Sequence, residues 1–231
     1  MDRHGYNALH SAASGGDFNR VRLLLSREDV EPDMPKRETG ETPMMLAISG
    51  KHPDAVELLL QHPGVNPDAC DLGSRTPLII AAYWNQLETA QILLHYGADP
   101  SIRDKEGNTP LLKAVWNSDE KKMRLLLERG SAAEVDAANV WGETPLTVAF
   151  QRGKEECTAM LLRAGARADL EALGKLDGKC YREGRMAFAY PRVRTREEML
   201  EFVRGLIEEQ VHEKKTASAS VVRPPVLPSR L

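Results

Sequence analysis

The sequence predicts an all-α repeat solenoid, a stack of helix-turn-helix units closed by a C-terminal helix. Three recurrences predict it. The tripeptides Asn7-Ala8-Leu9, Thr42-Pro43-Met44, Thr76-Pro77-Leu78, Thr109-Pro110-Leu111 and Thr144-Pro145-Leu146 follow one another at spacings of 35, 34, 33 and 35 residues. An alanine stands five residues past each start, at Ala12, Ala47, Ala81, Ala114 and Ala149. A leucine pair follows at a fixed offset: Leu24-Leu25, Leu59-Leu60, Leu93-Leu94, Leu126-Leu127 and Leu161-Leu162.

Each recurring element has a physical role. Threonine or asparagine supplies an N-cap oxygen, and proline suits the first helical position because its missing N–H would be unpaired there anyway. The alanine lets a first helix approach its neighbours. The leucine pair closes a second helix, which Gly97, Gly130 and Gly165 are expected to end in the left-handed conformation. Gly5, Gly40, Gly107 and Gly142, with Ser74 in the remaining unit, precede the Thr-Pro position, where a tight hairpin-like turn needs positive φ.

The pattern resembles the ankyrin repeat family over about residues 2–169, with units near 2–35, 36–70, 71–103, 104–138 and 139–169 joined by short β-hairpin-like connections. His10 fills the family's histidine position, while Met45, Ile79, Leu112 and Thr147 replace it elsewhere. Small insertions fall near Pro63 and Ala133. A single unit cannot bury its own apolar face, so the ends need covers. Residues 170–195 read as irregular. Residues 196–213 place Met199, Leu200, Val203, Leu206, Ile207 and Val211 on one helical stripe, which predicts a capping helix within a 170–215 segment. From 216 to 231 the composition predicts a disordered tail.

Composition narrows the function classes. The chain has 231 residues, 42% hydrophobic and 28% charged, with net charge −3, so the whole-chain field gives no attraction to nucleic acid or an anionic membrane. No apolar run reaches the roughly 18 residues of a membrane span. Cys70, Cys157 and Cys180 are odd in number and far apart, which fits a reducing, cytoplasmic or nuclear setting better than a disulfide framework. The six histidines are scattered, and no glycine-rich phosphate loop or metal-ligand spacing occurs. The acid pairs Glu155-Glu156 and Glu208-Glu209 fit solvated helix faces. A non-catalytic, monomeric chain without cofactor or metal is expected.

The resemblance implies a concave groove, lined by the hairpin tips and the exposed ends of the first helices, where family members bind proteins. The expected function is therefore an adaptor, scaffold or inhibitor acting on a partner protein. The candidate contact residues are Arg75, Tyr83, Trp84, Lys105, Trp116, Asn117, Trp141 and Arg152, a set holding all three tryptophans. Tryptophan, tyrosine and arginine carry much of the energy at protein interfaces. Two other readings stand beside it. The aromatic groove could serve as a pocket for a small molecule or substrate. The segment 175–196, with Lys179, Arg182, Arg185, Arg192 and Arg194 among interleaved aromatics, could take nucleic acid or a phosphorylated ligand.

Overall fold

The computed structural model describes residues 7–130, 132–175 and 196–220. Five helix pairs follow one another: α1 (Ala8–Ser14) with α2 (Phe18–Leu25), α3 (Pro43–Ser49) with α4 (Pro53–Leu60), α5 (Pro77–Tyr83) with α6 (Leu87–His95), α7 (Pro110–Trp116) with α8 (Glu120–Arg129), and α10 (Pro145–Gln151) with α11 (Glu155–Arg163). A single turn, α9 (Ala132–Val135), interrupts the last connection. Helices α12 (Leu170–Lys175) and α13 (Arg196–Ser220) follow. Among the described residues there is no strand.

The first helices start where the caps dictate. Asn7, Thr42, Thr76, Thr109 and Thr144 each accept a hydrogen bond from the backbone N–H three residues on. At Asn7, His10 completes a reciprocal box; at Thr144, the Thr147 hydroxyl accepts from Thr144 N at 2.8 Å and does the same job. Met45, Ile79 and Leu112 cannot, and instead bury their side chains. First helix packs on first helix along the row α1–α3–α5–α7–α10, and second on second along α2–α4–α6–α8–α11. The five alanines are buried between them.

Every turn between first and second helix carries a residue at positive φ: Gly16 (67°), Lys51 (61°), Asn85 (60°), Ser118 (54°) and Gly153 (61°). The hairpin turn before each Thr-Pro does so too, at Gly40 (73°), Ser74 (57°), Gly107 (79°) and Gly142 (76°). Gly97 and Gly165 end their helices at 87° and 95° as expected. Gly130 does not. Its φ is −86° in extended backbone, because the chain leads on into the inserted α9 rather than reversing.

At the far end α13 lies against α11 and α12, burying Met199 and Val203, with Leu173 of α12 also in the core. Two expectations change here. Residues 170–175 are helical rather than irregular, started by the Asp169 carboxylate, which accepts from Glu171 N and Ala172 N at 3.0 Å. Helix α13 runs past 213 to Ser220, so 216–220 belong to it rather than to a tail. Ala217 and Ala219 are strong helix formers, and nothing before Ser220 breaks the run.

Candidate protein-interaction surface

The hairpin tips are built on a buried polar residue that the repeat spacing alone did not point to. Asp71 Oδ1 accepts from Gly73 N (2.8 Å) and Arg75 N (2.9 Å), which folds the turn around one oxygen. Asp104 Oδ1 accepts in the same way from Glu106 N (3.0 Å) and Asn108 N (2.8 Å), and Asn139 Oδ1 from Trp141 N (3.0 Å) and Glu143 N (2.9 Å). The tips are then tied in series, Leu72 N to Thr39 O, Lys105 N to Gly73 O and Val140 N to Glu106 O, at 2.8–3.0 Å. That closeness is why Gly40 and Gly107 lack side chains. A Cβ on Gly40 would lie 2.6 Å from Leu72 N, and one on Gly107 would lie 3.1 Å from Asn139 Cα.

Buried acids need compensation. Arg75 supplies it to Asp71, with Nε and Nη2 both 2.6 Å from Oδ2. Its guanidinium is thereby committed within its own turn. For Asp104 the counter-ion is Lys113, whose Nζ lies 3.3 Å from Oδ2 and 3.8 Å from Glu106 Oε2. Asn108 adds donors to both Asp104 oxygens and is bonded by Asn139 Nδ2 at 3.2 Å, so the fourth and fifth tips share one network. The same Lys113 ammonium stands 4.5 Å from the centroid of the Trp116 ring. A buried carboxylate and an indole face thus hold one cation between them.

The ends of the first helices form the second edge. Tyr83 and Trp84 are 52% and 51% exposed, and their rings meet edge-to-face with centroids 5.2 Å apart. Their backbone is clamped by the next repeat: Asn117 Nδ2 donates to Ala82 O (3.0 Å) and Tyr83 O (2.7 Å). Lys122 Nζ also donates to Ala82 O, at 2.9 Å, with Asp119 Oδ2 at 3.6 Å. Lys122 has no exposed surface, and this desolvation holds its pKa below the usual lysine value against the pull of Asp119. Arg152 Nη1 donates to Trp116 O at 2.7 Å, Gln86 Nε2 to Ile48 O at 2.6 Å, and His52 Nε2 bonds Ser14 O at 3.1 Å. The first helices α1, α3, α5 and α7 therefore each have a carbonyl of their last turn bonded by a side chain from the repeat that follows.

The eight candidate residues divide into surface contacts and side chains that bond to neighbouring turns. Tyr83 and Trp84 are together and exposed, Trp141 is 60% exposed on the last tip, and Lys105 is exposed on the tip before it. Trp116 is half-buried under Lys113. The Arg75, Asn117 and Arg152 side chains are exposed too, but each is bonded to its own turn or to the preceding repeat, which positions the others. Leu72 and Val140, beside Lys105 and Trp141 on the tips, are exposed apolar neighbours. The structure adds Lys113, Asp104 and Asn139 as supports. A lysine in the core-facing run Leu111-Leu112-Lys113-Ala114-Val115, three residues before a tryptophan, was the one sequence signal for Lys113. Lys179, Arg182, Arg185, Arg192 and Arg194 lie outside the described residues. Among the described residues no three His, Cys, Asp or Glu side chains converge as a metal site, and no helix is long and apolar enough to cross a membrane.

A family model described as "Ankyrin repeats (3 copies)" matches residues 9–104 and again 78–172. The chain is also similar to the human transient receptor potential cation channel subfamily A member 1, 30% identical over 94 residues, which is 41% of this chain and 8% of that protein. Mouse Rabankyrin-5 is 31% identical over 98 residues, covering 40% of this chain and 8% of that protein. The chain thus spans under a tenth of the length of the curated relatives it matches.

Proposed function

Since the chain belongs to the ankyrin repeat family, whose repeats bind other proteins, we propose that it is a non-catalytic binding module that holds a partner protein in the groove between the hairpin tips and the first-helix ends. The observation that carries this reading is the exposed Tyr83–Trp84 pair on a helix end clamped by Asn117. Half-exposed aromatics are costly to leave in water, and rings already fixed in place lose little entropy when a partner covers them. Trp116 and Trp141 extend the apolar surface across the fourth and fifth repeats, with Leu72 and Val140 on the tips beside them. Arg75, Lys105 and Arg152 supply its charged margin, and the soluble adaptor, scaffold or inhibitor role rests on binding alone.

The test uses a partner captured from lysate, identified by mass spectrometry and then titrated as a purified protein. Trp84→Ala and Trp116→Ala should each weaken binding by about 2 kcal/mol or more. The Trp84 variant should keep the wild-type melting temperature, since its ring is half in water. Unchanged affinity for both variants, or loss of folding with binding per folded molecule intact, would reject the groove.

A further inference from the structure

Repeat four ties itself back to repeat three with a buried charge. In repeat three the corresponding tie comes from Gln86, the N-cap residue of α6, whose Nε2 donates to Ile48 O at 2.6 Å. In repeat two it comes from His52, the N-cap residue of α4, whose Nε2 bonds Ser14 O at 3.1 Å. The N-cap residue of α8 is Asp119, which accepts from Lys122 N at 3.0 Å and has no proton to give a carbonyl when ionised. Ala82 O, the counterpart of Ile48 O, receives Lys122 Nζ instead, at 2.9 Å. Lys122 stands four residues before the leucine pair, where repeats two, three and five carry the buried Ala55, Thr89 and Cys157. A fully buried ammonium is costly to desolvate in a way that those small side chains are not. That cost falls at the helix end that exposes the Tyr83–Trp84 pair.

We infer that Lys122 is a positioning residue for the Tyr83–Trp84 pair: its ammonium pins the Ala82 carbonyl from inside the stack and fixes the end of α5, at a cost in overall stability. That this pinning serves binding rests on the groove proposed above. The other tie to the same turn, from Asn117 Nδ2 to Ala82 O and Tyr83 O, belongs to an exposed side chain and is open to competition from water. Lys122 has no exposed surface, so its bond meets no such competition. Removing the ammonium strands no polar group. Asn117 still serves Ala82 O, and Asp119, which is partly exposed, still caps α8. An unbranched apolar side chain in that slot therefore relieves the desolvation without leaving an orphan. Overall stability and the order of the turn then move in opposite directions, which a residue serving the core alone would not produce.

The experiment compares the wild type, Lys122→Met and the double variant Asp119→Gln/Lys122→Thr in the full chain, with native-state hydrogen exchange and thermal melting as readouts and no partner present. The double variant copies repeat three, where Gln86 donates to Ile48 O and Thr89 Oγ1 donates to Gln86 Oε1 at 3.0 Å. In Lys122→Met the amides of Tyr83 and Trp84 should exchange about tenfold faster, through loss of one charge-assisted hydrogen bond. The melting temperature should stay at or above that of the wild type. In the double variant exchange should return to within about twofold of the wild type, because a neutral donor again reaches Ala82 O. Failure of Trp84→Ala to weaken partner binding would reject the groove and leave the pinning of the turn intact. Unchanged exchange at Tyr83 and Trp84 in Lys122→Met, a lowered melting temperature with protection lost throughout the fourth repeat, or no recovery in the double variant would overturn the inference.

Discussion

Lys113 shows how much one side chain carries in this stack. It is buried, neutralises Asp104, and presents its ammonium to Trp116, so one substitution reaches the core, the hairpin tip and the interaction surface together. The buried polar residues were the least legible part of the sequence, because Asp71, Asp104 and Asn139 look like ordinary loop residues until their backbone partners are known. The positive-φ sites were half legible. Glycine announced them at Gly40, Gly107 and Gly142 and the repeat register placed Ser74 with them, but Lys51 and Ser118 hold the same conformation without advertising it. Relief of that strain is measurable: Ser74→Gly should raise stability by about 1 kcal/mol in denaturant unfolding, whereas Gly107→Ala should lower it by more, meeting both strain and the Asn139 backbone. The thiols separate as cleanly. Burial pushes the Cys157 thiol up to about 11, so the nucleophilic thiolate is scarce at neutral pH, while Cys70 is exposed. Alkylation at pH 8 should label Cys70 at once and Cys157 only after denaturation. Because its folded value is raised, Cys157 contributes stability that is present below the ordinary thiol range and is lost as pH rises toward about 11. Rapid labelling of Cys157 in the native chain would refute its burial.

At the scale of elements, the helix pairs were legible because each boundary has a local cause: a capping oxygen, a proline, a leucine pair on one face. Elements without a repeated signal were not. Helix α9 sits in an insertion, α12 is six residues long and begins on a single aspartate cap, and the far end of α13 is polar and small. What the stripe of Met199, Val203 and Leu206 did announce was a packing face. Burial of Met199 and Val203 implies roughly 3–6 kcal/mol of apolar transfer for the two side chains. A chain ending at Asp169 should therefore melt several degrees below the full chain, with the fifth repeat lost first in hydrogen exchange. One ending at Glu213, which keeps the packed turns, should melt with it. Coincident melting of all three chains would remove the covering role of α13.

For the whole molecule, the ties between repeats share a direction. At the helix ends His52, Gln86, Asn117, Lys122 and Arg152 reach backwards to carbonyls of the preceding repeat, and at the tips Leu72, Lys105 and Val140 do so through their backbone N–H groups. On the connecting loops, Asp33, Asp68 and Asp136 accept from the N–H groups of Asn66, Asp99 and Arg167 in the repeat after. His10 to Glu41 O and Arg103 to Ala138 O run the other way. The stack thus has a grain, like timber. Each repeat gives donors to the one before it and acceptors to the one after it, so two copies joined end to end in the same direction would repeat that polarity. A head-to-tail join grows without limit unless the rotation between copies closes it into a ring. Helix α13 then acts as an end-stop. Freed of it, a chain ending at Asp169 should add copy to copy in sedimentation experiments, giving a ladder of oligomers that lengthens with concentration. A population that halts at dimers would mean the exposed end pairs with its own kind and that the grain does not govern assembly.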